Sequence, residues 1–345
     1  MSEIKVNNIQ GLEGTHGPVV SGITTMLSVG AMTLPRGDTA YRGDRGRGII
    51  AGGGNADNFI DYITIATAGD AKDFGDLSEA RRTLGGLASS TRGLFGGGNT
   101  HPTIVNTIDY ITISATGNAF DFGDLTQNRR IKGTGASDQT RGIWAGGYDW
   151  PGAAAPGTVK TIDYVTIASK GNASFFGGLS DQLPIGVAGM SAAASPTRAI
   201  FGGGSSTPTN TNIIEYITIS TLGDAQDFGD LTLIRRDTAT CSSTTRGLFM
   251  GGRNDPPTSN IIDYVTIASL GDAIDFGDLT DSVFAATGLS NSIRGIFAGG
   301  NNIPTTLDDI EFVTIATLGN AADFGNLVNS NEQLGSCSDS HGGLG

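Results

Sequence analysis

Cysteine, histidine and long apolar runs are all scarce in this chain, and each scarcity closes off a class of function. Two cysteines, Cys241 and Cys337, cannot build a disulfide framework. They are expected to be semi-buried free thiols of a reducing compartment. The three histidines, His16, His101 and His341, sit far apart, and no two have the spacing of a metal site. No serine has a histidine partner fixed by the sequence. No catalytic residue, metal or cofactor is therefore assigned, and neither hydrolase nor oxidase activity is expected. No apolar run reaches about 18 residues, so no membrane insertion is expected. Residues 1–30 lack the basic start and continuous apolar core of a signal peptide. Basic residues are in deficit as well: Lys plus Arg number 21 against 34 for Asp plus Glu, a net charge of −13. That balance argues against a nucleic-acid partner, which needs a basic face.

Glycine is in excess, 54 of 345 residues, and the glycines are periodic. Residues 91–125 hold three phrases that recur six times: Thr-Arg-Gly-Leu-Phe-Gly-Gly-Gly, Ile-Asp-Tyr-Ile-Thr-Ile and Asp-Phe-Gly-Asp-Leu. The arginine of the first falls at Arg47, Arg92, Arg141, Arg198, Arg246 and Arg294. The acid of the second falls at Asp61, Asp109, Asp163, Glu215, Asp263 and Glu311, and the glycine of the third at Gly75, Gly123, Gly177, Gly229, Gly277 and Gly325. β-Branched and aromatic residues fill the phrases, and no helical periodicity appears. Each unit predicts four strands, in the second unit 83–89, 92–97, 107–114 and 119–125. The third and fourth are joined through Gly followed by Asp or Asn, as at Gly69-Asp70 and Gly117-Asn118. That pairing suits a tight hairpin, because both residues tolerate positive φ. Six such units predict an all-β chain folded as a six-bladed β-propeller.

The diglycine closing each second strand resembles the mark of the kelch family: Gly52-Gly53, Gly97-Gly98, Gly146-Gly147, Gly203-Gly204, Gly251-Gly252 and Gly299-Gly300. So do Tyr62, Tyr110, Tyr164, Tyr216 and Tyr264, with Phe312 in the sixth unit. Where the family has a later tryptophan, Phe74, Phe122, Phe176, Phe228, Phe276 and Phe324 stand instead. The resemblance covers residues 36–330. It implies a six-bladed kelch-like β-propeller with a short N-terminal arm, and no single function, since such propellers serve as adaptors, receptors and occasionally enzymes. Blades are expected at about 36–80, 81–128, 129–182, 183–234, 235–282 and 283–331. Residues 332–345 are expected to close the ring. Their Gly335-Ser336-Cys337-Ser338 matches Ala239-Thr240-Cys241-Ser242 and should pair with residues 48–52. The local competitor, residues 37–45, carries Asp38, Arg42, Asp44 and Arg45, a poor match to small apolar inner strands.

Residues 1–35 lie outside the repeat as an attachment arm. Their opening, Met-Ser-Glu-Ile-Lys-Val-Asn, and the phrase Ser21-Gly22-Ile23-Thr24-Thr25 resemble the starts of virion structural proteins of marine tailed phages. The resemblance implies a non-enzymatic virion protein, tail- or capsid-associated and assembled in the host cytoplasm. Its arm would dock on other virion proteins, and its loops would meet a host surface protein or glycan. A soluble kelch-type protein-interaction module is the alternative, and a carbohydrate- or calcium-binding propeller enzyme a further one.

Two sets of residues stand out for chemistry. With a two-residue hairpin, Asp73 counts back to Thr64 and Thr64 to Arg47, which predicts a buried Arg–Asp bridge in most blades. The set is Arg47, Arg92, Arg141, Arg198, Arg246 and Arg294 with Asp73, Asp121, Asp227, Asp275 and Asp323. Arg92 should meet Asp121, Arg246 should meet Asp227 or Asp275, and blade three has Phe175 at the acidic position. The paired acids Asp61 with Asp76, Asp109 with Asp124 and Asp263 with Asp278 read as solvated strand-end residues rather than a calcium site. The loops between second and third strands all leave one face and vary while the strands repeat, as recognition loops do. Their binding candidates are His101, Tyr148, Trp150, Asn210, Asn254 and Asn302.

Overall fold

The computed structural model describes residues 46–54, 56–149, 157–182, 186–206, 209–254 and 257–344. The arm, residues 37–45 and Trp150 lie outside them. The described chain is all-β, with six four-stranded antiparallel sheets arranged as a six-bladed β-propeller and a single 3-10 turn at Gly342–Leu344.

Blade two shows the plan. An inner strand, Gly85–Ala88, is followed by Arg92–Gly96, Thr107–Thr112 and an outer strand, Phe120–Asp124. The second strand is buried along almost its whole length, because it is covered by a blade on either side. The outer strand buries Phe122 and exposes Phe120 and Asp121. The inner strands are built from Gly, Ala, Ser, Thr and Cys, apart from Leu87 and Leu289, because six of them must crowd around one axis. A side chain at Gly86 or Gly135 would run into the neighbouring inner strand's backbone, 2.2 Å from Ser336 O and 2.1 Å from Gly86 O respectively.

The inner strand of blade one comes from the far end of the sequence. Gly335–Ser338 pairs with Arg47–Ala51 in the register Gly48–Ser338, Ile49–Cys337, Ile50–Ser336 and Ala51–Gly335. Each inner strand then touches the next, and the cycle closes. A belt of hydroxyl bonds runs between them: Ser242 Oγ to Ala194 O, Ser290 Oγ to Ser242 O and Ser137 Oγ to Ala88 O, each 2.8 Å, and Ser338 Oγ to Ser290 O at 2.5 Å. Both cysteines lie in inner strands, free and fully buried; burial pushes the Cys241 thiol up to about 12.

The apolar core sits between blades. Ile49, Ile60, Phe74 and Leu77 of blade one pack with Leu84, Phe95, Ile111 and Ile113 of blade two. Ile50, Ile63 and Ile65 close the same contact with Ile296, Phe324 and Leu327 of blade six.

The expected row of Arg47, Thr64 and Asp73 is half right. Arg47 lies opposite Thr64, but Asp73 lies opposite Asp61, and a bulge follows Ile60. The connection from Thr64 to Lys72 is not a two-residue hairpin. It swings out and binds the preceding blade, Gly69 N to Phe324 O at 2.7 Å and Ala71 N to Asn326 O at 2.8 Å. Gly117 and Ala119 bind Phe74 O and Asp76 O in the same way. The Asx side chain after the glycine completes this clasp, as in Asn118 Oδ1 accepting from Asp76 N at 3.1 Å. The Gly-Asx pairs therefore cover the otherwise open edge of each outer strand.

No Arg–Asp bridge forms in that row either. Asp73, Asp121, Asp227, Asp275 and Asp323 are exposed on the outer strands. Each repeat arginine instead reaches a carbonyl at the end of the next blade's third strand. Arg47 Nη1 donates to Ile113 O at 2.8 Å, Arg92 to Ile167 O at 2.8 Å, and Arg141 to Ile219 O at 2.6 Å. Arg198 and Arg246 reach Ile267 O and Ile315 O at 2.9 Å, and Arg294 closes the circuit at Ile65 O, 3.2 Å. Each guanidinium also lies over the aromatic ring of its own blade, 4.5 Å from the Tyr216 centroid for Arg198 and 4.7 Å from that of Phe312 for Arg294.

Buried ion pairs do exist, between residues that sequence spacing did not join. Arg81–Asp109, Arg129–Asp163 and Arg235–Asp263 each close at 2.8 Å, with side chains at most 1% exposed. Each arginine belongs to the linker entering the blade that holds its acid. Asp109, Asp163 and Asp263 are thus buried, not solvated, and Asp76, Asp124 and Asp278 lie opposite Phe59, Thr107 and Ile261 instead. At the same linker position, blades four and six have Val187 and Val283 and carry Glu215 and Glu311, whose pKa values burial raises. Blade one has Asn331 there, and burial together with Asp73 pushes Asp61 up to about 6.

Candidate functional site

The two ends of the ring differ. At the end where the repeat arginines lie, the tail after Ser338 crosses the channel. His341 Nε2 is 2.9 Å from Ala88 O and 3.2 Å from Ser137 Oγ. A side chain at Gly342 would meet Ser243 O and Ala194 O, and one at Gly343 would meet Ser137 O. Beside this tail the channel keeps a cavity of about 50 Å³, lined by inner strands, which is room for water and little else. No repeat arginine lines it.

At the other end the channel opens among the linkers and the loops between second and third strands. The linkers reach the inner strands through left-handed residues: Thr83, Gly133, Gly189, Asp237, Ala285 and Gln333, with φ between +56° and +70°. Four of their N–H groups bind round the mouth: Thr83 to Gln333 O, Gln333 to Ala285 O, Ala285 to Asp237 O and Asp237 to Gly189 O, at 2.7–3.0 Å. The loops dock on the linkers by short bridges, Asn99 to Arg82, Tyr148 to Arg130, Arg253 to Arg236 and Asn301 to Phe284.

A cavity of about 330 Å³ lies inside this collar. Its walls carry four cationic groups, Arg130, Lys132, Arg236 and Arg253, and one carboxylate, Asp237. Asp237 is 3.4 Å from Arg253 Nε, 3.6 Å from Arg236 Nη1 and 3.9 Å from Lys132 Nζ. All three distances exceed those of a close charge-assisted hydrogen bond. Lys132 is only 7% exposed, and its Nζ makes no hydrogen bond. Burial lowers its pKa, and Asp237 offsets part of that shift. Burial likewise lowers Arg130, whose guanidinium lies 4.8 Å above the Tyr148 ring. Arg253 lies 4.1 Å above Phe284. Thr83, Ser205, Tyr148 and Gln333 add neutral polar groups to the walls.

Of the described loop candidates, Tyr148 alone is among the residues lining this cavity. His101 and Asn254 are exposed on the same face, and Asn210 Nδ2 donates to Asn254 Oδ1 of the next loop at 3.0 Å. Asn302 N donates to Thr305 O within its own turn. The cations were missed in the sequence, yet a signal was present. The doublets Arg81-Arg82, Arg129-Arg130 and Arg235-Arg236 recur at one place in the repeat. The first member is buried against its acid; of the second members, Arg130 and Arg236 line the cavity, while Arg82 Nη1 donates to Gly54 O at 3.1 Å.

Among the described residues no group of three or more His, Cys, Asp or Glu is placed to hold a metal ion, and no helix is long and apolar enough to cross a membrane. No protein-family model matches the chain, and no curated protein matches it.

Proposed function

We propose that this propeller is a non-enzymatic recognition module whose open end is its binding face. One observation carries the reading: a fixed six-fold scaffold presents non-repeating loops around a cationic cavity at one end, while backbone clasps and the chain's own tail occupy the other. A protein-interaction role suits a β-propeller, and loops on a rigid frame suit selection of a partner. Within that role, we assign it to a tailed-phage particle, tail- or capsid-associated. Residues 1–35 attach it to other virion proteins, and the open end meets a host surface protein or glycan. The similarity of the N-terminal phrases to virion proteins supports this finer assignment. The kelch-like diglycines support the alternative, a soluble interaction module.

Cross-linking mass spectrometry on purified particles tests the assignment. Lys5 of the arm is expected to link to a neighbouring virion protein. Absence of the chain from purified particles, with recovery in soluble complexes, would establish the soluble module instead.

A further inference from the structure

From the cavity at the open end we infer an oxyanion site: a pocket for a sulfate, phosphate or carboxylate group carried on a small polar ligand. The inference deepens the recognition reading and depends on the open end being the binding face. It does not depend on attachment to a particle.

Three independent observations converge on it. The first is charge placement. In a chain of net charge −13, four cationic groups, Arg130, Lys132, Arg236 and Arg253, line one cavity, and Asp237 is the carboxylate among its described lining residues. Like charges so placed repel one another, and an incoming anion would be attracted by all four. The second is Lys132. Its ammonium is 93% withdrawn from solvent, makes no hydrogen bond, and stands 3.9 Å from the nearest carboxylate oxygen. A buried ammonium normally meets close oxygen acceptors. The third is shape. About 330 Å³ admits a ligand of monosaccharide size, within the usual range for small-molecule pockets. The walls also carry neutral polar side chains, Ser205, Tyr148 and Gln333, suited to hydroxyl groups. Arg130, Lys132, Arg236 and Arg253 share this wall with Asp237.

The buried arginines give an internal contrast. Arg81, Arg129 and Arg235 are equally cationic, but each closes on its own aspartate at 2.8 Å and on backbone carbonyls. Each guanidinium thus meets a carboxylate at hydrogen-bond distance. The ammonium of Lys132 does not.

The test is calorimetric titration of the full chain with sodium sulfate, sodium phosphate, glucuronate and glucose 6-sulfate, each at constant ionic strength set with chloride. At least one probe is expected to bind saturably with a 1:1 ratio. Which of the four binds best separates sulfate, phosphate and carboxylate chemistry. Lys132→Met and Arg236→Gln should each weaken that probe at least about tenfold, whereas Lys72→Gln, on the outer strand of blade one, should leave it unchanged. Asp237→Asn keeps the left-handed backbone, which Asn tolerates, and removes the competing negative charge. It should tighten binding about threefold or more, a gain that general damage to the fold would not produce. No saturable heat from any of the four probes would overturn the site, as would equal affinity in Lys132→Met. A poly-glutamate peptide is titrated in parallel. If it alone bound at this end, the oxyanion pocket would be refuted while recognition at the open face stood. If loop-face variants left the affinity for an isolated partner unchanged while sulfate bound normally, the recognition reading would fail and the pocket would stand.

Discussion

The chain contains its own double-mutant experiment, and it can be transplanted. In blade two, Arg81 donates to Asp109 Oδ2 at 2.8 Å and to the carbonyls of Gly97, Thr107 and Phe95 at 2.9, 2.7 and 3.2 Å. Asp109 also accepts from Ser78 N at 3.1 Å and Ser78 Oγ at 2.6 Å. Blade six has Val283 for the arginine and Glu311 for the aspartate, and Glu311 still accepts from Thr280 N at 3.2 Å and from its hydroxyl. Arg81→Val alone strands a fully buried carboxylate and three carbonyls. One-sided loss of a buried pair costs about 3–5 kcal/mol. Arg81→Val with Asp109→Glu reproduces the blade-six arrangement and should recover about 2 kcal/mol of that loss, a coupling within the usual range for residues in contact.

The assay is urea denaturation at pH 8, followed by the fluorescence of Trp144. This residue is fully buried between blades two and three and donates from Nε1 to Gly85 O at 2.9 Å. The single variant should also acquire a pH dependence. Without its cation, Asp109 takes on the environment of Asp61, whose folded pKa rises from 3.8 to about 6. A raised folded pKa means that the native state keeps a proton the unfolded chain has released. The penalty is then absent below about pH 4 and complete above about pH 6. A single variant within about 1 kcal/mol of the parent at pH 8, or a double variant no better than the single, would refute the reasoning.

Three further outcomes follow from the same geometry. Asp61→Asn should flatten the fall in melting temperature that the parent shows as pH rises from about 4 to 6, and should be the more stable protein above pH 6; parallel pH–melting curves would contradict the assigned burial. Gly123→Ala places a methyl 2.5 Å from Gly171 O at a φ of +148°, whereas Gly171→Ala, at +152°, meets nothing within 4 Å. Both carry backbone strain of about 1–3 kcal/mol, but only the first must also push neighbouring blades apart, so equal losses in denaturant would show that the clasp is loose. Deleting residues 333–344 removes the inner strand of blade one and the channel tail together; melting should fall by at least about 10 °C with aggregation, and unchanged melting would show that the ring closes without them.

The six-bladed plan was readable because each blade repeats its apolar positions, so a pattern too weak to trust in one unit is reinforced in the others. The small residues of Gly335-Ser336-Cys337-Ser338 mark an inner strand for the same reason: small residues predominate at the crowded axis. The polar partnerships were not readable. Asp73 was assigned to Arg47 by counting through a hairpin, and two local facts broke the count, a bulge after Ile60 and a connection that leaves its own sheet to bind the preceding one. Arg81 and Asp109 lie 28 residues apart on different elements, and nothing in their spacing announces a contact. What does announce it is covariation among the copies: Arg with Asp in blades two, three and five, Val with Glu in blades four and six, Asn with Asp in blade one. The cavity at the open end was hidden for a different reason. Its walls come from the irregular segments of several blades, and only ring closure brings Lys132 near Asp237.

The same contrast locates function within the ring. At the closed end almost every polar group is committed: the guanidinium of Arg92 to Ile167 O and the Tyr110 ring, the Asx of each turn to the preceding blade. A substitution there disturbs two blades at once, so the fold itself fixes those residue types. At the open end the fold asks only for the short bridges that seat each loop on its linker, as between Arg130 and Tyr148 or Phe284 and Asn301. Backbone makes those bridges, which leaves the side chains free to differ. Arg130, Lys132, Arg236 and Arg253 line one cavity there, and the last three stand within 4 Å of Asp237. Of the four, Lys132 is buried with its ammonium making no hydrogen bond, and a bound oxyanion would supply the acceptor that Asp237, at 3.9 Å, does not.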